Sequence, residues 1–97
     1  MTYHQIKAML SEAVERRNPI PHPDEIAAQL GLDRLQTEFY RAMEQAYRDT
    51  ATEAKIRAAS CDLLSSEKKY YELIDEECRE LGEVLFSLTK AASRPIA

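Results

Sequence analysis

The chain has 97 residues and a formal net charge of −4, so acidic side chains outnumber basic ones. An apolar fraction of 44% is enough for one domain with a modest core, and 31% charged residues with two glycines is typical of a helical protein. No stretch approaches the roughly twenty apolar residues that span a bilayer, and residues 1–10 lack the basic start and apolar block of a signal peptide. We therefore expect one all-α domain over residues 1–97, cytoplasmic and without a membrane segment.

Capping signals predict two short helices near the N terminus. A capping box at the start of the chain opens a helix over about residues 3–17. The prolines that follow make the next connection stiff and extended, because each restricts itself and the residue before it. Pro23 then opens a second helix over about residues 23–30, and Gly31 closes it as a left-handed cap.

A third helix is predicted after Gly31. Asp33 offers its N-terminal cap, and we expect the helix to end near Asp49, with a continuous bend there as the alternative. Helices one and three each carry one apolar stripe that is too short to be stable alone in water, so we predict that they pack together. The predicted contact residues are Ile6, Leu10, Ala13, Leu35, Phe39 and Met43.

The longest feature is an uninterrupted helical pattern over residues 50–92. No glycine or proline occurs between Gly31 and Gly82. A continuous helix over residues 50–92 would span roughly 65 Å, whereas a compact domain of this size is about 30–35 Å across. It either projects and pairs with another molecule, or breaks near the polar run Ser65–Lys69 and folds back. The predicted architecture is a small bundle of three short N-terminal helices plus a long C-terminal helix, continuous or kinked near that run.

Two apolar stripes, displaced by about 60° of helix rotation, run along residues 70–88 of the predicted long helix. One stripe is enough to cover the N-terminal helices, so the second would be exposed on a monomer and would mark an interface. A two-fold homodimer is the commonest way to cover it. We therefore predict dimerisation through residues 50–92, with an interface made by Tyr70, Tyr71, Ile74, Leu81, Val84, Leu85 and Leu88.

Arginines form one basic stripe on the third helix. Arg34, Arg41 and Arg48 repeat every seven residues, and Glu38 and Glu44 lie within pairing distance of them. This pattern favours a solvated face crossed by salt bridges. The three arginines are nevertheless candidate partner-binding residues.

Carboxylates form a second charged face further along the chain. Glu72, Glu76 and Glu80 repeat every four residues on one face of the predicted long helix, with Arg79 close by. We interpret them as exposed, and as a candidate docking surface for a basic partner, because concentrated like charge raises association rates and selectivity.

Part of the N-terminal half resembles a DNA-binding motif. The residues that carry the resemblance to the first helix and turn of a helix-turn-helix are Ile26, Ala27, Leu30, Gly31 and Leu32. The chain also has a proline followed by Asp-Glu-Ile-Ala, with Leu-Gly-Leu a few residues later. This pattern is similar to the third region of bacterial sigma factors, and the resemblance implies DNA binding through residues 23–48. The motif needs a buried aliphatic residue where this chain has Thr37, although a turn two residues longer would bring Phe39 there. A net charge of −4 is also unfavourable for contact with phosphates.

The tripeptide His22-Pro23-Asp24 resembles the one that marks the J domains of Hsp70 co-chaperones. In that family it follows a basic second helix directly, whereas here Pro19 and Pro21 separate it from a helix of mixed charge. A helix start that is opened by proline, with a carboxylate at the positive end of the helix dipole, explains the same residues.

No residue set identifies a reaction, a cofactor or a metal. His4 and His22 are isolated, and there is no glycine-rich phosphate loop. Cys61 and Cys78 lie about 25 Å apart on the predicted helix, so we expect two reduced thiols. The sequence favours a non-enzymatic helical protein-interaction module of the adaptor, chaperone or inhibitor type, dimeric and bound to an unidentified protein. The alternative is a helix-turn-helix-like DNA-binding regulator.

Overall fold

The computed structural model of the protein describes residues 2–31 and 37–92, and the side chains of residues 2–31 and 39–87. Within these residues the chain forms helices and no strand, which confirms the predicted all-α bundle. The helices are α1 (Thr2–Glu15), α2 (Pro23–Leu30), α3 (Thr37–Ala58) and α4 (Ser65–Ala92). No helix in the described ranges has the length and apolar character needed to cross a membrane.

The two long helices, α3 and α4, lie side by side as an antiparallel hairpin. Arg48 on α3 contacts Gly82 on α4, and the guanidinium carbon of Arg57 lies 5.6 Å from the centre of the Tyr71 ring, so residue numbers fall along one helix as they rise along the other. The molecule measures 52 × 26 × 18 Å. It is therefore shorter than a continuous helix over residues 50–92 would be.

The third helix is longer than predicted, because α3 passes Asp49 without a break and continues to Ala58. Thr50, which is buried, donates a hydrogen bond of 2.8 Å from its hydroxyl to the Ala46 carbonyl. A threonine can satisfy its hydroxyl in this way inside a helix, so Thr50 does not act as a cap. The continuous alternative at Asp49 is the one observed.

The helix over residues 50–92 is not continuous, because the chain folds back at residues 59–64, just before the polar run Ser65–Lys69 where the second alternative placed the break. The Ala59 amide is shared between two carbonyls, those of Lys55 and Ile56, each at 3.2 Å, which tightens the last turn of α3. The Asp62 amide then donates to the Ser60 hydroxyl at 3.4 Å. Serine and aspartate offer the backbone such local hydrogen bonds in place of helical ones, so they end the helix without glycine or proline.

The boundaries of α2 follow the prediction at both ends. Pro23 is its first residue, and Gly31 has φ +62° as a left-handed cap. His22 is the N-cap, and its Nδ1 accepts a hydrogen bond of 3.1 Å from the Asp24 amide. The tripeptide His22-Pro23-Asp24 therefore forms an ordinary helix start.

The end of α1 is closed by a hydrogen-bonded turn rather than by proline. The Asn18 amide donates to the Ala13 carbonyl at 2.9 Å and the Arg17 amide donates to the Val14 carbonyl at 3.2 Å, which is a Schellman motif. Arg17 takes the left-handed conformation there, with φ +56°. Its guanidinium lies 4.3 Å from the centre of the Tyr70 ring, which ties the end of α1 to α4.

The core lies between α1, α3 and α4, with α2 closing one side. The predicted packing of helices one and three is confirmed for Ile6, Leu10, Phe39 and Met43, which share one buried cluster. Ala13 is buried as well, and Leu35 lies outside the described residues. Four alanines line the buried side of α3 and keep the helices close: Ala46, Ala51, Ala54 and Ala58. The buried hydrophobic residues that α4 adds are Ile74, Cys78 and Leu85.

Candidate protein-interaction surface

Two of the seven residues predicted to form a dimer interface are buried within the single chain. Ile74 and Leu85, one from each predicted stripe, are 3% and 1% exposed, because α3 runs along α4 as far as Ala58. We expected only one stripe to be covered, so the buried part of the second stripe is not available to a second copy, and the dimer stays a prediction. The remaining predicted residues are half-buried (Tyr70, Tyr71 and Leu81), exposed (Val84), or have side chains outside the described set (Leu88).

The two tyrosines near the start of α4 make contacts within their own chain. The Tyr70 hydroxyl donates to the Val14 carbonyl at 2.9 Å, and the Tyr71 ring lies edge-on to the Tyr70 ring at 5.3 Å between centres. Burial is the main cause that raises the pKa of Tyr70 above its usual value. Both side chains therefore help to position α4 within the chain.

The predicted basic stripe is partly neutralised within the chain. Arg48 pairs with Glu44 at 2.8 Å, and its guanidinium carbon lies 5.5 Å from the centre of the Phe86 ring. Arg41 is exposed, whereas Arg34 lies outside the described residues. Of the two stripe arginines in the described ranges, one is therefore paired and the other is exposed.

The helix-turn-helix resemblance fits the fold at some positions. The first helix and its cap at Gly31 are present, and Phe39 is 4% exposed at the place that a longer turn would give it. Residues 32–36 lie outside the described ranges, as does the side chain of Thr37. Contact with DNA stays a prediction.

The predicted acidic face is exposed. Glu72, Glu76 and Glu80 all lie on the outside of α4, and none has an ion-pair partner among the residues that the structure describes. Glu77 and Glu83 add two more exposed carboxylates on the same helix. Their binding to a partner stays a prediction.

An open groove of about 420 Å³ lies between the α1–α2 connection and α4. We call it the acidic groove, and its lining residues are Pro19, Ile20, Glu77, Glu80, Leu81 and Val84. Ile20 and Leu81 are half-buried and form an apolar floor, whereas Val84 is 56% exposed. Neither Glu77 nor Glu80 has an ion pair with any described residue, so both carboxylates are available to a ligand.

A tertiary hydrogen bond holds the connection that forms one wall of the groove. Tyr47 is fully buried, and its hydroxyl donates a hydrogen bond to the carbonyl of Pro21, which is next to Ile20. Sequence reasoning included Glu80, Leu81 and Val84 but missed Pro19 and Ile20. The signal that could have found them is an isoleucine between two prolines, which is an apolar side chain on a stiff extended segment.

Other groups on the described part of the chain give no sign of chemistry. Burial raises the pKa of the Cys78 thiol to about 12, with Glu77 and Asp75 adding to the effect, so it is not a thiolate at neutral pH. Cys61 is exposed on the connection between α3 and α4. No group of three or more His, Cys, Asp or Glu within residues 2–31 and 37–92 is arranged to hold a metal ion.

No protein-family model, curated protein or solved structure matches this chain. The fold itself defines the class, which is a small all-α protein built on one antiparallel pair of long helices with two shorter helices packed against it.

Proposed function

We propose that the protein is a non-enzymatic helical protein-interaction module, and that the acidic groove binds a basic, amphipathic segment of a partner protein. One observation carries the proposal: the groove combines an apolar floor with carboxylates that have no ion-pair partner among the described residues. An adaptor, a chaperone or an inhibitor would each use such a surface.

The composition of the groove indicates which kind of segment it would bind. Burying one aliphatic side chain against Leu81 and Val84 contributes about 1.5–3 kcal/mol. Lysine or arginine on the partner would meet Glu77 and Glu80, which raises the association rate and disfavours acidic competitors. A segment with apolar residues on one side and cations beside them satisfies both requirements.

The exposed face of α4 that continues from the groove favours a helical segment. Leu73, which is 53% exposed, lies one helical turn before Glu77 and extends the exposed face of α4 back from Val84. From Leu73 to Val84 the helix rises roughly 16 Å at 1.5 Å per residue. This length accommodates about three turns of a partner helix, which presents apolar residues at i, i+4 and i+7.

DNA binding through residues 23–48 is the second candidate, and the buried Phe39 and left-handed Gly31 favour it. The charges on this segment favour DNA binding less than the groove charges favour a basic partner. The ion pair between Arg48 and Glu44 removes one cation from the face that would meet phosphate. We therefore rank it below the interaction module.

Capture of the partner from the native host tests the proposal. Glu80→Lys reverses a charge in the acidic groove, and Glu15→Lys makes the same change at an exposed site on α1. We expect wild type and Glu15→Lys to retain a protein that Glu80→Lys loses. Equal retention by both variants would refute binding in the groove.

A further inference from the structure

A second cleft adjoins the acidic groove at Pro19. It has a volume of about 240 Å³ and lies between α1, α2 and the connection that joins them. We call it the proline cleft. Its apolar walls are Met9, Ala13, Pro19 and Pro21, and its polar rim is Glu12, Asn18 and Gln29. Because Pro19 also lines the acidic groove, the two depressions share one wall.

The shared wall is a ridge with one depression on each side. Consecutive side chains of an extended chain point to different sides, which places Ile20 in the acidic groove and Pro21 in the proline cleft. The prolines restrict the backbone of the ridge, and the hydrogen bond from Tyr47 to the Pro21 carbonyl ties it to α3. A wall that is already held in place lowers the entropy cost of binding a partner.

The acidic groove alone is small for a protein interface. Six residues line it, whereas a specific interface involves about 20–30 residues on each side. The exposed face of α4 enlarges the surface from Val84 back to Leu73. The proline cleft enlarges it on the other side of the ridge. A partner in the groove can therefore gain contact area by crossing Pro19 into the proline cleft.

The chemistry of the proline cleft differs from that of the acidic groove. Its one carboxylate belongs to Glu12, which pairs with Arg16 at 3.3 Å, so the cleft does not favour a cation. Its walls combine the thioether of half-buried Met9 with two proline rings. A thioether makes favourable contacts with aromatic rings, and aromatic side chains are frequent anchors of protein interfaces. With about 240 Å³, the cleft suits one large side chain rather than a whole small-molecule ligand.

The rim of the proline cleft suits an extended chain. The side-chain amides of Asn18 and Gln29 make no hydrogen bond with the described residues. Each amide can both donate and accept a hydrogen bond, as the backbone of a peptide does. A helix satisfies its own backbone groups, whereas an extended segment leaves them available. The rim therefore favours a partner segment that is no longer helical beyond Pro19.

We propose that the partner's basic helix continues as an extended segment, which crosses Pro19 and places an aromatic side chain in the proline cleft. This inference rests on the proposed function, because it gives the same partner a second anchor. The partner is then recognised by two features of its sequence, a basic amphipathic helix and an aromatic residue close to one end of it.

Photo-cross-linking in cells of the native host tests whether the partner reaches the second cleft. A photoreactive phenylalanine analogue replaces Gln29, Val84 or Ala8 in separate proteins, and Ala8 is exposed on α1 and lines neither depression. We expect positions 29 and 84 to attach to adjoining segments of one partner, with an aromatic residue in the segment at position 29, and no adduct from position 8. An adduct from position 84 without one from position 29, or attachment of position 29 to a different protein, would overturn this inference and leave the proposed function standing. No adduct from position 84 would overturn both.

Two synthetic peptides measure what the second anchor contributes. The short peptide is the partner segment attached at position 84, and the long peptide adds the segment attached at position 29. We expect the long peptide to bind wild type at least about tenfold more tightly in fluorescence anisotropy, and to lose this advantage when its aromatic residue is alanine. Met9→Glu places a carboxylate in the apolar cleft, so it should also remove the advantage while the short peptide binds as before. Equal binding of both peptides to wild type would overturn the inference.

Discussion

Replacing Phe39 by alanine tests whether the core described above holds the molecule together. Phe39 is 4% exposed between α1 and α3, whereas Phe86, the other phenylalanine in the chain, is 48% exposed on α4. Truncating a buried phenylalanine removes its transfer free energy and leaves a cavity, at a cost of about 3–5 kcal/mol. A domain of this size has a total stability of about 5–15 kcal/mol, so the loss is a large part of it.

Phe86→Ala is the matched control. It removes the same atoms from a half-exposed site and the contact with the Arg48 guanidinium, which is worth about 0.5–1 kcal/mol. We expect its total cost to be about 1 kcal/mol. The two substitutions should therefore differ by at least about 2 kcal/mol.

Urea unfolding followed by circular dichroism measures both costs. With a slope of about 1.5 kcal/mol per molar urea, Phe39→Ala should lower the midpoint by about 2–3 M. If that variant does not fold, Phe39→Leu keeps most of the volume and should cost less than about 1.5 kcal/mol. A cost below about 1 kcal/mol for Phe39→Ala, or a cost equal to that of Phe86→Ala, would refute the core assignment.

Three further outcomes follow from the charges and the thiols. Sub-micromolar protein should not bind duplex DNA in a salt-dependent manner, as judged by a shift of the DNA band. A shift that is lost when Arg34 and Arg41 are changed together to Glu would favour the DNA-binding regulator instead. Exposed Cys61 should react with a thiol reagent in the folded protein at neutral pH, whereas buried Cys78 should react only on unfolding. Equal reaction rates of the two thiols would contradict the burial of Cys78. Burial raises the pKa of Cys78 from 9.0 to about 12 and raises that of Tyr47 as well, so the folded state holds these protons more tightly than the unfolded chain. The contribution of Cys78 to stability is present below pH 9.0 and is lost as the pH rises toward about 12, and that of Tyr47 is lost only at higher pH. The melting temperature of Cys78→Ala should therefore depend less on pH over this range than that of wild type, and an equal dependence would show that Cys78 makes no such contribution.

The sequence predicted those features of the fold that local chemistry determines. Pro23 and Gly31 set the ends of α2 through their own backbone preferences, so both boundaries could be read without the structure. The fold-back at residues 59–64 was one of two alternatives that the sequence left open, and it was placed a few residues later. Its signal is a weak local hydrogen bond between Ser60 and Asp62, which prevails only because α3 and α4 pack together once the chain turns.

The candidate site was harder to predict, because it depends on contacts between distant residues. Periodicity placed Ile74 and Leu85 on the two apolar stripes of the predicted helix, but it carries no information on which chain covers them. Ile20 lies in a connection that has no periodicity, and its place beside α4 depends on the hydrogen bond between Tyr47 and Pro21. A contact across so many residues has no local signature.

Photo-cross-linking in cells of the native host tests most directly whether the acidic groove binds a partner protein. A photoreactive phenylalanine analogue replaces Val84 in the groove, and a control protein carries it at Thr52, which is exposed on α3 and lines a different cleft. We predict a covalent adduct from position 84 and not from position 52, with the attached segment of the partner basic and amphipathic. An adduct of equal yield at both positions, an adduct to a segment without cations, or no adduct from position 84 would contradict the account.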